Sequence, residues 1–144
     1  MAKALGELKA VVARLRSPSG CPWDRKQTHR SLIPFVREES AELADALKRG
    51  NWHEIEDELG DILFHVMLLS RVAEEKGWFT LEDVARSQAL KLRRRHPHVF
   101  ARDRKFSSAE EVVAHWKEIK STERALRGRD VAKRSVRARR RKGA

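Results

Sequence analysis

Nine carboxylates crowd one short stretch of an otherwise basic chain. From Val36 to Asp61 the sequence reads VREESAELADALKRGNWHEIEDELGD, where Glu38, Glu39, Glu42, Asp45, Glu54, Glu56, Asp57, Glu58 and Asp61 face only Arg37, Lys48 and Arg49. Acids at this density either coat two solvated helix faces or converge on a cation. The donors are hard oxygens with no thiolate nearby, which suits Mg2+ or Mn2+ rather than zinc. Mg2+ shares its open positions with substrate phosphates, so convergent acids here would point to phosphate-ester or phosphoanhydride chemistry.

Helical spacing separates the acids. At roughly 100° per residue, Leu32, Val36, Leu43 and Leu47 fall on one stripe and define an inward direction. Glu39 lies roughly 50° from the centre of that stripe, toward Phe35 and close to Ala46, with Glu42 farther out one turn along. Glu38 and Asp45 belong to the margin of the polar face. On the following helix Ile55, Leu59, Ile62, Val66 and Ala73 make the stripe, flanked by Glu58 and then Asp61. Each helix thus presents an acidic i, i+3 pair beside its apolar face. The connection RGNWH is short enough to fold the two helices back as an antiparallel hairpin, in which the pairs can meet. Four ionised carboxylates in a partly desolvated groove repel one another and need a counter-charge.

The elements that must position these acids are all helical. No segment keeps a period-2 alternation, and tyrosine is absent. Helices are expected from about Lys3 to Arg16, from Ser31 to Gly50 with Pro34 in the first turn, and from Trp52 or His53 to Lys76 with Gly77 as the stop. A fourth opens on the capping pattern Thr80-Leu-Glu-Asp83 and runs to about Arg95, before Pro97. A fifth opens on Ser107-Ser-Ala-Glu110 and runs to about Arg127. The segment SPSGCPWDRKQTHRS reads as loop. The expectation is an all-α fold, a four- or five-helix bundle. The run ILFHVMLL is apolar around almost the whole helix, which suits a central helix or a subunit interface and favours a dimer.

At 144 residues, 40% of them apolar, the chain can build a core without staples. The single cysteine, Cys21, allows no intramolecular disulfide and no thiolate zinc framework, which fits a reducing, cytoplasmic setting. No run approaches the roughly 20 apolar residues of a membrane span, nor does the N-terminus read as a secretory signal. The formal net charge is +11, but residues 127–144 carry nine Lys/Arg against one Asp. The preceding 126 residues hold 23 Lys/Arg and 20 Asp/Glu, so that part is nearly balanced. The expected organisation is a folded domain over 1–126 and a basic, disordered tail over 127–144. Such a tail suits either plain solvation or non-specific contact with nucleic acid, which supports the alternative of a nucleic-acid-binding helical module.

EESAE at 38–42 followed by ELGD at 58–61 resembles the EExxE…ExxD signature of the all-α nucleoside triphosphate pyrophosphohydrolases. GCPWDRKQTHRSL (20–32), KLRRRHPHVF (91–100) and HWKEIKSTER (115–124) resemble the MazG-type family in the same order. The resemblance implies a MazG-like fold and Mg2+-dependent hydrolysis of NTPs or dNTPs between the α and β phosphates, giving a monophosphate and pyrophosphate. It implies that Glu39, Glu42, Glu58 and Asp61 bind the metal, with Glu38 near it as a second-ion or water-activating group. Lys91, Arg94 and Arg95 could grip phosphate oxygens or form a solvated basic helix end. Trp116 and Lys120 could supply a base-stacking face and a further cation, or Trp116 could be core, and Trp23 is open in the same way. A metal site on His96 and His98 lacks an evident third ligand.

Overall fold

The α-helical hairpin that carries the acids is set by three consecutive residues. In the computed structural model, which describes residues 2–101 and 105–123, α3 (Ile33–Arg49) ends where Gly50 turns to φ 72° and donates its N–H to the Ala46 carbonyl at 3.0 Å. Only glycine takes that left-handed geometry without strain. Asn51 then caps α4 (Trp52–Glu75), its side-chain oxygen accepting the His53 N–H at 3.2 Å. Arg49 bonds Glu54 across the turn at 2.6 Å. Three residues therefore end one helix, reverse the chain and start the next.

The other elements are α1 (Ala2–Leu15), α2 (Pro22–Lys26), α5 (Leu81–Arg95), α6 (Pro97–Phe100) and a helix over 109–123, here α7. The five long helices expected from the sequence are present, and no strand occurs among the described residues. Two short helices are additional. α2 lies inside the segment read as loop, because Pro22 at its first turn is preset for helix and needs no N–H partner. Pro97 does stop α5, but it also opens α6 for the same reason. α3 starts two residues later than Ser31: Thr28 and Ser31 bond each other's backbone N–H reciprocally, at 3.2 and 2.9 Å, and wind a turn ahead of the helix. The box at Thr80 and Asp83 forms as expected, with bonds of 2.9 and 3.2 Å. The box at α7 is displaced by one residue: Ser108 accepts the Glu111 N–H, and the Glu111 carboxylate takes the Ser107 N–H and hydroxyl. The end expected near Arg127 and the tail over 127–144 lie outside the described residues.

The chain divides into two compact units, Met1–Ser87 and Gln88–Ala144. In the first, α4 packs against both α3 and α1, which makes it the central helix that ILFHVMLL suggested. Val12, Leu32, Met67 and Leu68 are buried together, with Leu8, Phe35, Leu63, Phe64, Leu69 and Leu81 packed around them. Fully burying a leucine such as Leu68 is worth roughly 1.5–3 kcal/mol. Around that core the chain is clamped by Arg16, only 6% exposed. Its guanidinium donates to both Glu75 carboxylate oxygens, at 2.9 and 2.6 Å, and to the carbonyls of Asp24 and Gln27. One side chain thus ties α1, the α2 segment and the end of α4. Gly20 makes that turn possible, since a Cβ there would overlap the Arg14 and Leu15 carbonyl oxygens.

In the second unit Trp116 donates its indole N–H to the Arg95 carbonyl at 3.0 Å and packs edge-on to His96 at 5.0 Å. Phe106 lies between His98 and His115, at 4.9 and 5.3 Å. Glu123 receives hydrogen bonds from both Arg94 and Arg95.

Candidate metal centre

The hairpin brings three of the predicted acids together. Glu39 from α3 and Glu58 and Asp61 from α4 each offer an oxygen within 4.8 Å of the others. The reason is visible in how the helices are rotated. Ala46 is fully buried and Leu47 is 57% exposed, while on α4 Ile55 and His65 are buried and Leu59 is 52% exposed. The packed faces are therefore turned away from Leu47, Leu59 and Val66 and toward the acids. Small Ala46 allows close approach where bulky Leu47 would not, so Glu39 and Glu58 move from the flank of the interface into it.

That placement is electrostatically unfavourable by itself. Burial raises the Glu58 carboxyl above the usual carboxylate range, and the charges of Glu42, Glu39 and Asp61 raise it further, against a weaker opposing pull from Arg49. Its Oε2 is buried with no hydrogen-bond partner among the described residues. Buried carboxylate oxygens are almost always paired, and an orphan on a carboxylate clustered with two further acids fits a cation that all three could share. The donor set, oxygen only, suits Mg2+ or Mn2+. Glu42 stands outside the group of three, but its charge reaches Glu58. Glu38 is exposed, and Asp45 is paired with Lys48 at 2.8 Å.

Sequence reasoning passed over His65, which sat unremarked inside an apolar run. It is buried, with Nε2 3.6 Å from a Glu39 oxygen. Its ring stacks on Phe35, which in turn meets Trp23 edge-on at 5.4 Å. Trp23 itself is 48% exposed, held by the α2 segment that Arg16 anchors. The i+4 spacing from Asp61 was the available signal for His65, since it puts the imidazole on the acid-bearing face of α4.

The model of the MazG nucleotide pyrophosphohydrolase domain matches residues 27–100, which include all five candidate acids. The chain belongs to the MazG domain family. It is 40% identical over 129 residues to a nucleoside triphosphate pyrophosphohydrolase of Escherichia coli, covering 89% of this chain and 49% of that protein. It is 45% identical over 118 residues to the nucleoside triphosphate pyrophosphohydrolase/pyrophosphatase MazG of Thermotoga maritima, covering 82% and 44%. The chain thus spans about half the length of these curated relatives. The crystal structure of a mazG-related protein from Thermotoga maritima aligns with a TM-score of 0.65 at 30% identity, covering 81% of this chain and 98% of that one. Within the matched MazG segment lie Lys91, Arg94 and Arg95, while Trp23, Trp116 and Lys120 fall outside it. Arg94 and Arg95 are bound to Glu123, whereas neither Lys91 nor Lys120 forms an ion pair among the described residues. His96 and His98 lie with ring centres 5.6 Å apart, and no histidine joins a candidate metal group among the described residues. No described helix is long and apolar enough to cross a membrane.

Proposed function

We propose that the chain is a Mg2+-dependent nucleoside triphosphate pyrophosphohydrolase, cleaving NTPs or dNTPs between the α and β phosphates. The observation that carries this reading is the orphaned, raised Glu58 carboxylate beside Glu39 and Asp61 in a chain of the MazG family. Glu39, Glu58 and Asp61 would hold the ion, with Glu42 adding charge at its edge. A bound Mg2+ would neutralise phosphate oxygens and acidify a water for attack on phosphorus. Glu38, exposed on the polar side of α3, is assigned to orienting that water. Glu58 must release its proton for the ion to bind, so loading weakens as pH falls through its raised pKa. We assign phosphate contacts to Lys91 and Lys120, and to Arg94 and Arg95 when they leave Glu123. Base contacts are assigned to Trp23 and Trp116.

The test is a panel of NTPs and dNTPs with Mg2+ or with chelator, scored for pyrophosphate against orthophosphate. Pyrophosphate release that stops on chelation is the expected result. Release that survives chelation removes the metal from the mechanism, and orthophosphate would mean a different bond is cut.

We propose further that the chain is a cytoplasmic homodimer. Leu59 and Val66, two turns apart on one side of α4, are both exposed, which supports a partner surface. Sedimentation of a Leu59→Glu, Val66→Glu variant should show a monomer. The charge of residues 127–144 supports an additional, salt-sensitive contact with nucleic acid, which a chain lacking 128–144 should lose while keeping its turnover.

A further inference from the structure

Among the described residues His65 has one charged partner and one bare nitrogen. Its side chain is only 7% exposed, and Phe35 and Phe64 cover it with ring centres at 6.5 and 5.4 Å. Nδ1 is buried with no hydrogen-bond partner, while Nε2 faces Glu39 Oε1 at 3.6 Å. A neutral imidazole carries one proton, and a buried N–H is left unpaired at a cost of roughly 1–3 kcal/mol. The proton therefore belongs on Nε2, where a carboxylate can accept it, and Nδ1 keeps only a lone pair. At 3.6 Å the contact is longer than a hydrogen bond, and Nε2–H acts on the Glu39 carboxylate as a close electrostatic neighbour. On α4, Glu58, Asp61 and His65 follow i, i+3, i+7 spacing and share a face, so the imidazole flanks the acids from their own helix.

Resting on the metal-centre reading above, we propose that His65 is a positioning residue for Glu39. Its Nε2–H engages Oε1 and leaves the other Glu39 oxygen for the cation shared with Glu58 and Asp61. Without it, the Glu39 side chain has no described hydrogen-bond donor to fix which oxygen points into the cluster. Partners of this kind, which orient a ligand without touching the ion, are typically worth ten- to a hundredfold in metal affinity.

The experiment is a Mn2+ titration of the purified chain, by calorimetry or the loss of the free-ion EPR signal, with no nucleotide present. His65→Leu should weaken Mn2+ binding by about ten- to a hundredfold. His65→Gln, whose amide nitrogen reaches about as far as Nε2, should restore most of it. His65→Asn, whose amide ends where Nδ1 lies, should not. In a Glu39→Gln background His65→Leu should have no further effect. Wild-type affinity in His65→Leu overturns the proposal, as does rescue by Asn equal to rescue by Gln, or an undiminished effect in the Glu39→Gln background. Should His65→Leu fail to fold in a melting assay, the Gln and Asn variants decide alone. Absence of Mn2+ binding by the wild-type chain overturns the metal-centre reading and this proposal with it, an outcome distinct from wild-type binding that ignores His65.

Discussion

Glu58 and Glu123 are both partly buried carboxylates on helices, and their surroundings push them in opposite directions. Glu123 is held by Arg95 and Arg94, whose hydrogen bonds bring its carboxyl down to about 2. Glu58 meets burial and three like charges, which raise it, and the one cation among the described residues that opposes them, Arg49, is already bonded to Glu54. At Glu123 charge is satisfied inside the protein, as structural charge normally is. At Glu58 it is left over, and leftover charge in a folded protein is where an ion or a substrate fits. The contrast also separates acids that the sequence presents as equals.

Exchanging their fates by mutation is the most direct way to break this comparison. Glu58→Ala should lower kcat/KM for NTP hydrolysis by on the order of a hundredfold or more, since an ion's charge stabilisation is worth several kcal/mol. The metal-free melting temperature should not fall, because no internal partner is lost. Loss of both activity and apo stability would mean that Glu58 has a structural partner after all. A smaller effect, purely on stability, is expected at Arg16, the satisfied cluster within the same unit as Glu58. Arg16→Ala leaves Glu75 with Arg71 alone and strips the Asp24 and Gln27 carbonyls of their side-chain donor, and should cost roughly 2–3 kcal/mol in denaturant melts. Smaller again, Glu123→Ala should cost about 1 kcal/mol, discounted because Arg94 is well exposed. The Glu123 contribution is present above the unfolded carboxyl value of about 4.3 and is lost as pH falls from there toward about 2. Acid melts in which wild type and Glu123→Ala converge over that window would confirm the assignment.

The helices and the acids were legible in the sequence because their signals are local. Thr80 and Asp83, Gly50 and the i, i+3 acids each act within a turn of their own position. What escaped was what depends on the neighbour. Helical spacing ranked Leu47 and Leu59 as core because they are apolar, but packing selected the small Ala46 and turned both helices toward Glu39 and Glu58. His65 gains its role only from Glu39, which comes from the other helix. Arg16 ended a helix with no hint that Glu75, 59 residues on, would be its partner. The box at α7 slipped by one residue because Ser107 and Ser108, like Glu110 and Glu111, are chemically equivalent choices, and only the path of the chain decides between them.

The finest comparison sets Glu58 against its own neutral copy. A carboxyl raised above its unfolded value of about 4.3 binds its proton more tightly in the folded chain than in the unfolded one. Its ionisation therefore lowers stability at neutral pH, and the stability returns as pH falls through the raised value, fully present below the unfolded one. Glu58→Gln keeps the shape and removes the charge. In chelator at pH 8 the Gln variant should melt slightly above wild type, and the gap should close below about pH 4.3, where both side chains are neutral. Saturating Mg2+ should reverse the order at neutral pH, because ligand binding stabilises only the chain that retains the full set of oxygens, by about 2.7 kcal/mol at a hundredfold excess over Kd. A Gln variant that melts below wild type in chelator at pH 8 would mean the Glu58 charge is already compensated within the fold, and its likeness to Glu123 would then outweigh the contrast.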